Sequence, residues 1–149
     1  MDLPDVNVLV YAHREDSVDH PEYCEWLRKL VERDQAFAVS DLVLSGFVRV
    51  VTNRMIFNPP TALETAIRAA DVLRGQGNCV SVSPGPRHWR IFTDLCREAD
   101  ARGNLVSDAW LAALAIESGC DLVTTDRDFA RFPGLRWRHP IKRSGGRAG

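Results

Sequence analysis

Residues Gly103–Phe129 read GNLVSDAWLAALAIESGCDLVTTDRDF, and this stretch decides the fold. Ser107 precedes Asp108, and the run Ala109 to Ile116 is apolar on every side. That pattern predicts a helix over Asp108–Ser118, opened by Ser107 and buried all round. Gly119 stands where helices favour a glycine stop. Asp121–Thr125, DLVTT, then reads as a short strand, with Asp126 directly behind it and Asp128 two residues further on.

The rest of the chain repeats this alternation. Asp5–Ala12, DVNVLVYA, has the β-branched composition of a buried strand, although at this length periodicity does not separate a strand from a buried helix. Tyr23, Trp26, Leu27, Leu30 and Val31 recur at helical spacing within Glu22–Arg33. Ala36–Val39 reads as a strand, and Ser40 is placed to cap a helix running to about Asn53. Pro59-Pro60 breaks the chain, and Thr61 with Glu64 forms a capping-box pattern for a helix to about Gly75. Val80–Val82 is a brief strand, Pro86 introduces a helix over Arg87–Ala101, and Leu135–Arg138 is a last edge strand. Short strands alternating with helices predict one α/β domain over residues 1–141 with a mostly parallel sheet. The end, KRSGGRAG over 142–149, reads as a mobile basic tail.

Composition bounds the function. With 149 residues, 45% hydrophobic and 26% charged, the chain is an ordinary single globular domain, not a disordered tail, fibre or rod. It lacks the apolar run of about 18 residues that a membrane helix needs, and Met1–Asp5 lacks a signal-peptide pattern, so a soluble cytoplasmic protein is expected. The net charge of −1 gives no global basic field, so any nucleic-acid contact must come from local patches. Seventeen of the nineteen basic residues are Arg, the exceptions being Lys29 and Lys142. The four Cys and four His are scattered, which argues against a zinc site or a disulfide framework. The cysteines are expected as small buried residues, and Trp26, Trp89 and Trp110 as core.

In open parallel sheets, chemistry gathers at the carboxyl ends of the strands. Asp5, Asp108, Asp126 and Asp128 all fall at such junctions. Taken singly, each has an ordinary explanation as a turn residue, an N-cap or a helix-dipole partner. Brought together, they would repel one another and raise each other's pKa, and a cluster of that kind is normally held by a cation. Oxygen ligands without Cys or His favour Mg²⁺, with Mn²⁺ as a substitute.

Four stretches resemble the PIN-domain ribonucleases, and specifically the VapC toxins of bacterial toxin–antitoxin pairs. They are PDVNVLVYA at the start, VLSGFVRVVTN over Val43–Asn53, GNLVSDAWLAALAIESG over Gly103–Gly119, and LVTTDRDF over Leu122–Phe129. The resemblance implies a three-layer α/β/α sandwich in which VNVLVYA is a helix following a very short first strand. It implies an Mg²⁺- or Mn²⁺-dependent endoribonuclease with Asp5, Asp108 and Asp126 as metal-binding acids and Asp128 as a supporting one. Asn104 occupies a position where similar toxins often carry Asn. There is one departure: many PIN domains have a Glu three residues before the Arg matching Arg49, and here that position is Gly46. A catalytically weak or inactive PIN-like protein that binds RNA or a partner is the alternative this departure leaves open.

The resemblance further implies a tRNA or ribosomal RNA substrate, a VapB-type antitoxin as partner, and a homodimer. Arg14, Arg49, Arg54, Arg127 and Arg131 are the candidates for holding RNA, because the guanidinium fork suits phosphate. Glu22–Arg33 and the helix after Thr61 offer apolar faces for the antitoxin or the dimer. Two other classes fit poorly. A phosphoacceptor receiver needs a Lys after its last strand region, but the lysines are 29 and 142; a haloacid-type phosphatase needs a second acid where Asn7 stands.

Overall fold

The computed structural model describes residues 1–141; the tail over 142–149 lies outside the described residues. Five strands form one sheet in the order β3-β2-β1-β4-β5, with every pairing parallel. They are β1 (Asp2–Pro4), β2 (Phe37–Val39), β3 (Cys79–Ser81), β4 (Asp121–Val123) and β5 (Trp137–Arg138). The helices are α1 (Val6–His13), α2 (His20–Glu32), α3 (Asp41–Val51), α4 (Leu63–Arg74), α5 (His88–Glu98) and α6 (Asn104–Ser118). A 3-10 turn covers Arg127–Arg131.

Parallel strands need crossovers, and the crossovers supply the layers. From β1 the chain moves outward through β2 to β3, with α1 packed on α2 and α3, and α3 on α4. It then returns across the sheet to β4 through the packed pair α5 and α6. The direction therefore reverses between β1 and β4, the neighbouring central strands, and crevices open at their carboxyl ends. The core is centred on Leu3, Phe37, Val39, Leu114, Leu122 and Phe129, all essentially solvent-free. Three consecutive alanines or leucines of α6, Ala112, Ala113 and Leu114, are fully buried, so this helix lies against the sheet as its apolar sequence requires.

Several sequence-level expectations need correction. Residues 6–13 form a helix and not the strand their composition suggests, as the family resemblance implied. Val8, Leu9, Val10 and Ala12 are all buried, so the valines have no polar face to alternate with and the pattern carries no period. Ser107 does not open α6: Gly103, at φ 55°, makes the turn, and the helix begins at Asn104. Asp108 consequently lies in its second turn. Thr61 does not cap α4, which begins after Ala62; its hydroxyl instead accepts from Arg14 Nη1 at 3.3 Å. Ser40 holds the N-cap position of α3 but makes no capping hydrogen bond. Gly119 does end α6, in the left-handed region at φ 68°. Only Cys120 is buried; Cys79 and Cys96 are half-buried and Cys24 is exposed. Trp26 and Trp110 pack on the core, whereas Trp89 is 70% exposed.

Candidate metal centre

Asp5 leaves β1 in extended conformation and caps α1, its Oδ1 accepting the Val6 N–H at 2.7 Å. Its Oδ2 accepts the hydroxyl of Thr124 at 2.8 Å. Thr124 is fully buried behind β4, and its Oγ1 accepts the Asp126 N–H at 3.1 Å. Asp126 Oδ1 in turn accepts the Asp128 N–H at 2.8 Å, opening the 3-10 turn. A continuous hydrogen-bonded chain thus joins the carboxyl ends of β1 and β4. Asp108 reaches the same place from α6, with Asn104 one turn before it on the same face.

Asp5, Asp108, Asp126 and Asp128 line one open groove of about 720 Å³. Burial raises the pKa of Asp5; the hydrogen bonds from Thr124 and Val6 pull it back, and the Asp126 charge adds to the rise. Asp108 is pushed up to about 6, first by burial and then by Asp126, Asp5 and Asp128. That three carboxylates act on a fourth is the electrostatic signature of convergence. Among the described residues, no Arg, Lys or His side chain pairs with any of the four.

The donor chemistry fits a hard divalent cation: every candidate ligand is a carboxylate oxygen. Among the described residues, no three Asp, Glu, His or Cys side chains stand close enough together, as they are placed, to hold a metal ion. The acids stand around an open groove, which suits an ion that keeps several of its waters.

The groove wall opposite the acids comes from α3 and includes Ser45, Gly46 and Arg49. A Cβ on Gly46 would stand 2.8 Å from Val6 Cγ2, in the first turn of α1. Valine has little freedom to turn aside. A side chain at position 46 therefore pushes on the turn that carries Asp5, and the glycine permits the close approach of α3 to α1. Asp41, the acid upstream, pairs with Arg74 at 3.0 Å on the surface and does not line the groove.

Of the residues expected to hold RNA, Arg49 and Asn104 line the groove. Arg14 does not: it pairs with Asp16 at 2.5 Å, and its guanidinium lies 4.3 Å from the centre of the Phe57 ring. Arg54 is exposed beyond α3, and Arg127 and Arg131 lie exposed on the 3-10 turn and do not line the groove. Sequence reasoning missed Thr124, which links Asp5 to Asp126, and the polar lining residues Asn7, Ser45 and Ser107. A Thr two residues before a strand-end Asp was the available signal for the first; the others carry none.

An α/β/α sandwich with carboxylates converging at its switch point defines a class, and the sequence model of the PIN domain matches residues 3–135. The chain belongs to the PIN-domain family. Its curated relatives are VapC ribonucleases. Ribonuclease VapC43 of Mycobacterium tuberculosis is 47% identical over 137 residues, covering 92% of this chain and 93% of VapC43. Ribonuclease VapC25 of the same species is 43% identical over 140 residues, covering 94% of this chain and 99% of VapC25. The VapBC2 structure from Rickettsia felis, bound to a DNA fragment from its promoter, shares the fold with a TM-score of 0.67 at 21% identity. That match covers 93% of this chain and 97% of the Rickettsia chain.

Proposed function

We propose that this chain is a VapC-type toxin: an Mg²⁺-dependent endoribonuclease, with Mn²⁺ as a substitute, acting on tRNA or ribosomal RNA and restrained by a VapB-type antitoxin. The observation that carries the proposal is the convergence of Asp5, Asp108, Asp126 and Asp128 on one groove, with no cationic side chain among the described residues paired to them. The 47% identity to ribonuclease VapC43 supports the same reading.

Asp5, Asp108 and Asp126 would hold the ion, with Asp128 in support. When bound, Mg²⁺ would supply the positive charge that offsets the acids and polarises a phosphate. Thr124 keeps Asp5 and Asp126 in register by bonding to both. A site carboxylate oxygen orients water and accepts its proton. The water oxygen bonds to phosphorus, the P–O3′ bond breaks, and the 3′ oxygen takes a proton, leaving a 5′-phosphate and a 3′-hydroxyl. Arg49, in the groove wall and free of a carboxylate partner among the described residues, is placed to hold the phosphate beside the acids. Asn104, one turn before Asp108, orients an acid or contacts the strand.

An antitoxin helix suits the α3–α4 side. Leu63 and Ile67, 56% and 37% exposed, share one stripe of α4 with Ala70, which lines a small apolar hollow with Leu9, Leu44 and Phe47. An amphipathic helix buries such a stripe, and a basic residue at its end would satisfy the acids. A homodimer belongs to the same proposal and is checked by light scattering.

Antitoxin-free protein incubated with total RNA in Mg²⁺, Mn²⁺ or EDTA tests the activity. Discrete metal-dependent bands, absent with Asp108→Asn, are expected, and mapping them names the target. A folded, monodisperse protein that leaves RNA intact in both metals would overturn the proposal.

A further inference from the structure

The loop behind β4 is a partition. Asp126 and Asp128 line the acidic groove, whereas Thr125 and Arg127 line a second cleft, of about 570 Å³, together with Trp137 and His139. Side chains of successive residues in extended chain point to opposite sides, and Asp126 has such a backbone, at φ −90° and ψ 113°, before Arg127 opens the 3-10 turn. Arg127 therefore has a carboxylate on either side in sequence and pairs with neither, nor with any other acid among the described residues. Arg127, Arg136 and Arg138 are all exposed, but the guanidinium groups of Arg136 and Arg138 are bound to Asp121. Trp137 is half-buried against the core and its indole N–H has no partner among the described residues.

A nucleic-acid strand threaded through the groove meets four acids, and only the phosphate at the reacting centre gains from a bound cation there. The flanking nucleotides need positive charge and a stacking surface elsewhere. The second cleft offers both within one loop's width of Asp126: a free guanidinium for phosphate and an indole for a base.

We propose, resting on the ribonuclease reading, that this cleft is a subsite for single-stranded RNA flanking the scissile bond, with Arg127 holding a phosphate and Trp137 stacking a base. The full chain is tested in EDTA, where cleavage is silent, by the fluorescence anisotropy of a fluorescein-labelled single-stranded RNA of about twelve nucleotides. Arg127→Gln is expected to weaken binding about tenfold and to reduce the slope of log affinity against log salt by about 0.7, the release expected from one single-strand phosphate contact. Trp137→Leu weakens binding and Trp137→Phe retains it, while Arg68→Gln, an exposed arginine on α4, changes nothing. Matching melting temperatures guard against misfolding. Binding by Arg127→Gln within twofold of wild type, with the slope unchanged, overturns the subsite while leaving the ribonuclease reading intact if the wild type still cuts in Mg²⁺. A wild type that neither binds nor cuts RNA overturns both.

Discussion

Strands β1 and β4 lie side by side, and each carries an aspartate at either end. At the amino ends, Asp2 and Asp121 stand in register. Asp2, 5% exposed, meets Arg138 at 2.5 Å and Arg33 at 3.3 Å; Asp121 meets Arg136 at 2.6 Å and Arg138 at 3.2 Å. Arg136 holds the Asp121 carboxyl below the usual range. At the carboxyl ends, Asp5 and Asp126 are joined by Asp108 and Asp128, no guanidinium among the described residues pairs with them, and the pKa values of Asp5 and Asp108 move the other way. The same residue type on the same two strands is thus neutralised within the chain at one end and left open at the other. The open end is where a cation and a phosphate have something to complete.

Breaking the open end should remove activity and spare the fold. Asp108 is the cleanest position, because its carboxylate makes no hydrogen bond among the described residues, whereas Asp5 caps α1. Asp108→Asn is expected to lower RNA cleavage by about 100-fold or more with an unchanged or raised melting temperature. Cleavage assays beside thermal unfolding read both effects. Breaking the closed end should do the reverse. Asp2→Ala leaves Arg33 without its carboxylate and Arg138 with Asp121 alone, and is expected to cost about 2 kcal/mol in urea unfolding, while activity per folded molecule stays within about twofold of wild type.

A third variant asks what holds the open end in place. Gly46→Ala is expected to cost about 1–2 kcal/mol and to lower metal affinity, because the new methyl meets Val6 beside Asp5. Adding Val6→Ala should restore much of the metal affinity, measured by calorimetry, if the clash is the cause. Additive losses would point to independent effects.

The smallest expected effect is in pH. The folded pKa of Asp108 is raised, so the native state binds more protons than the unfolded one between the ordinary carboxylate range and about 6. The sign is that metal-free protein loses stability as pH rises through this window, by about 1–2 kcal/mol once partial exposure is discounted. Asp121 contributes oppositely, and its stabilisation fades as pH falls through its depressed pKa. Urea midpoints in EDTA at pH 5 and pH 7 should show the first trend for wild type and its loss in Asp108→Asn.

Much of the open end was legible in the sequence, because Asp5 and Asp126 flank short apolar runs and Asp108 stands just before the apolar run Ala109–Ile116. The closed end was not. It depends on a strand of three residues beginning at Asp2, too short to show a period and too near the terminus to show a boundary. The α1 valines misled by composition, since Val8, Leu9 and Val10 are buried in succession and leave the run no clear period. Capping signals at Thr61 and Ser107 misplaced two helix starts: the Thr61 hydroxyl is engaged by Arg14, and Gly103 makes the turn before α6. Arg14 was credible as a free cation only while Asp16 and Phe57 were not known to engage it. Convergence itself, and the steric reason for Gly46, exist only in three dimensions.

Thermal unfolding at pH 7, with EDTA or with Mg²⁺ in excess, for wild type and Asp108→Asn, addresses the central claim most directly. If the open end is an incomplete cation site, Mg²⁺ raises the wild-type midpoint by about 2–4 °C for each kcal/mol of binding. The variant then melts at or above wild type in EDTA and responds little to the ion. A wild type indifferent to Mg²⁺ and Mn²⁺, or a variant that melts lower in EDTA and still responds fully, would contradict it.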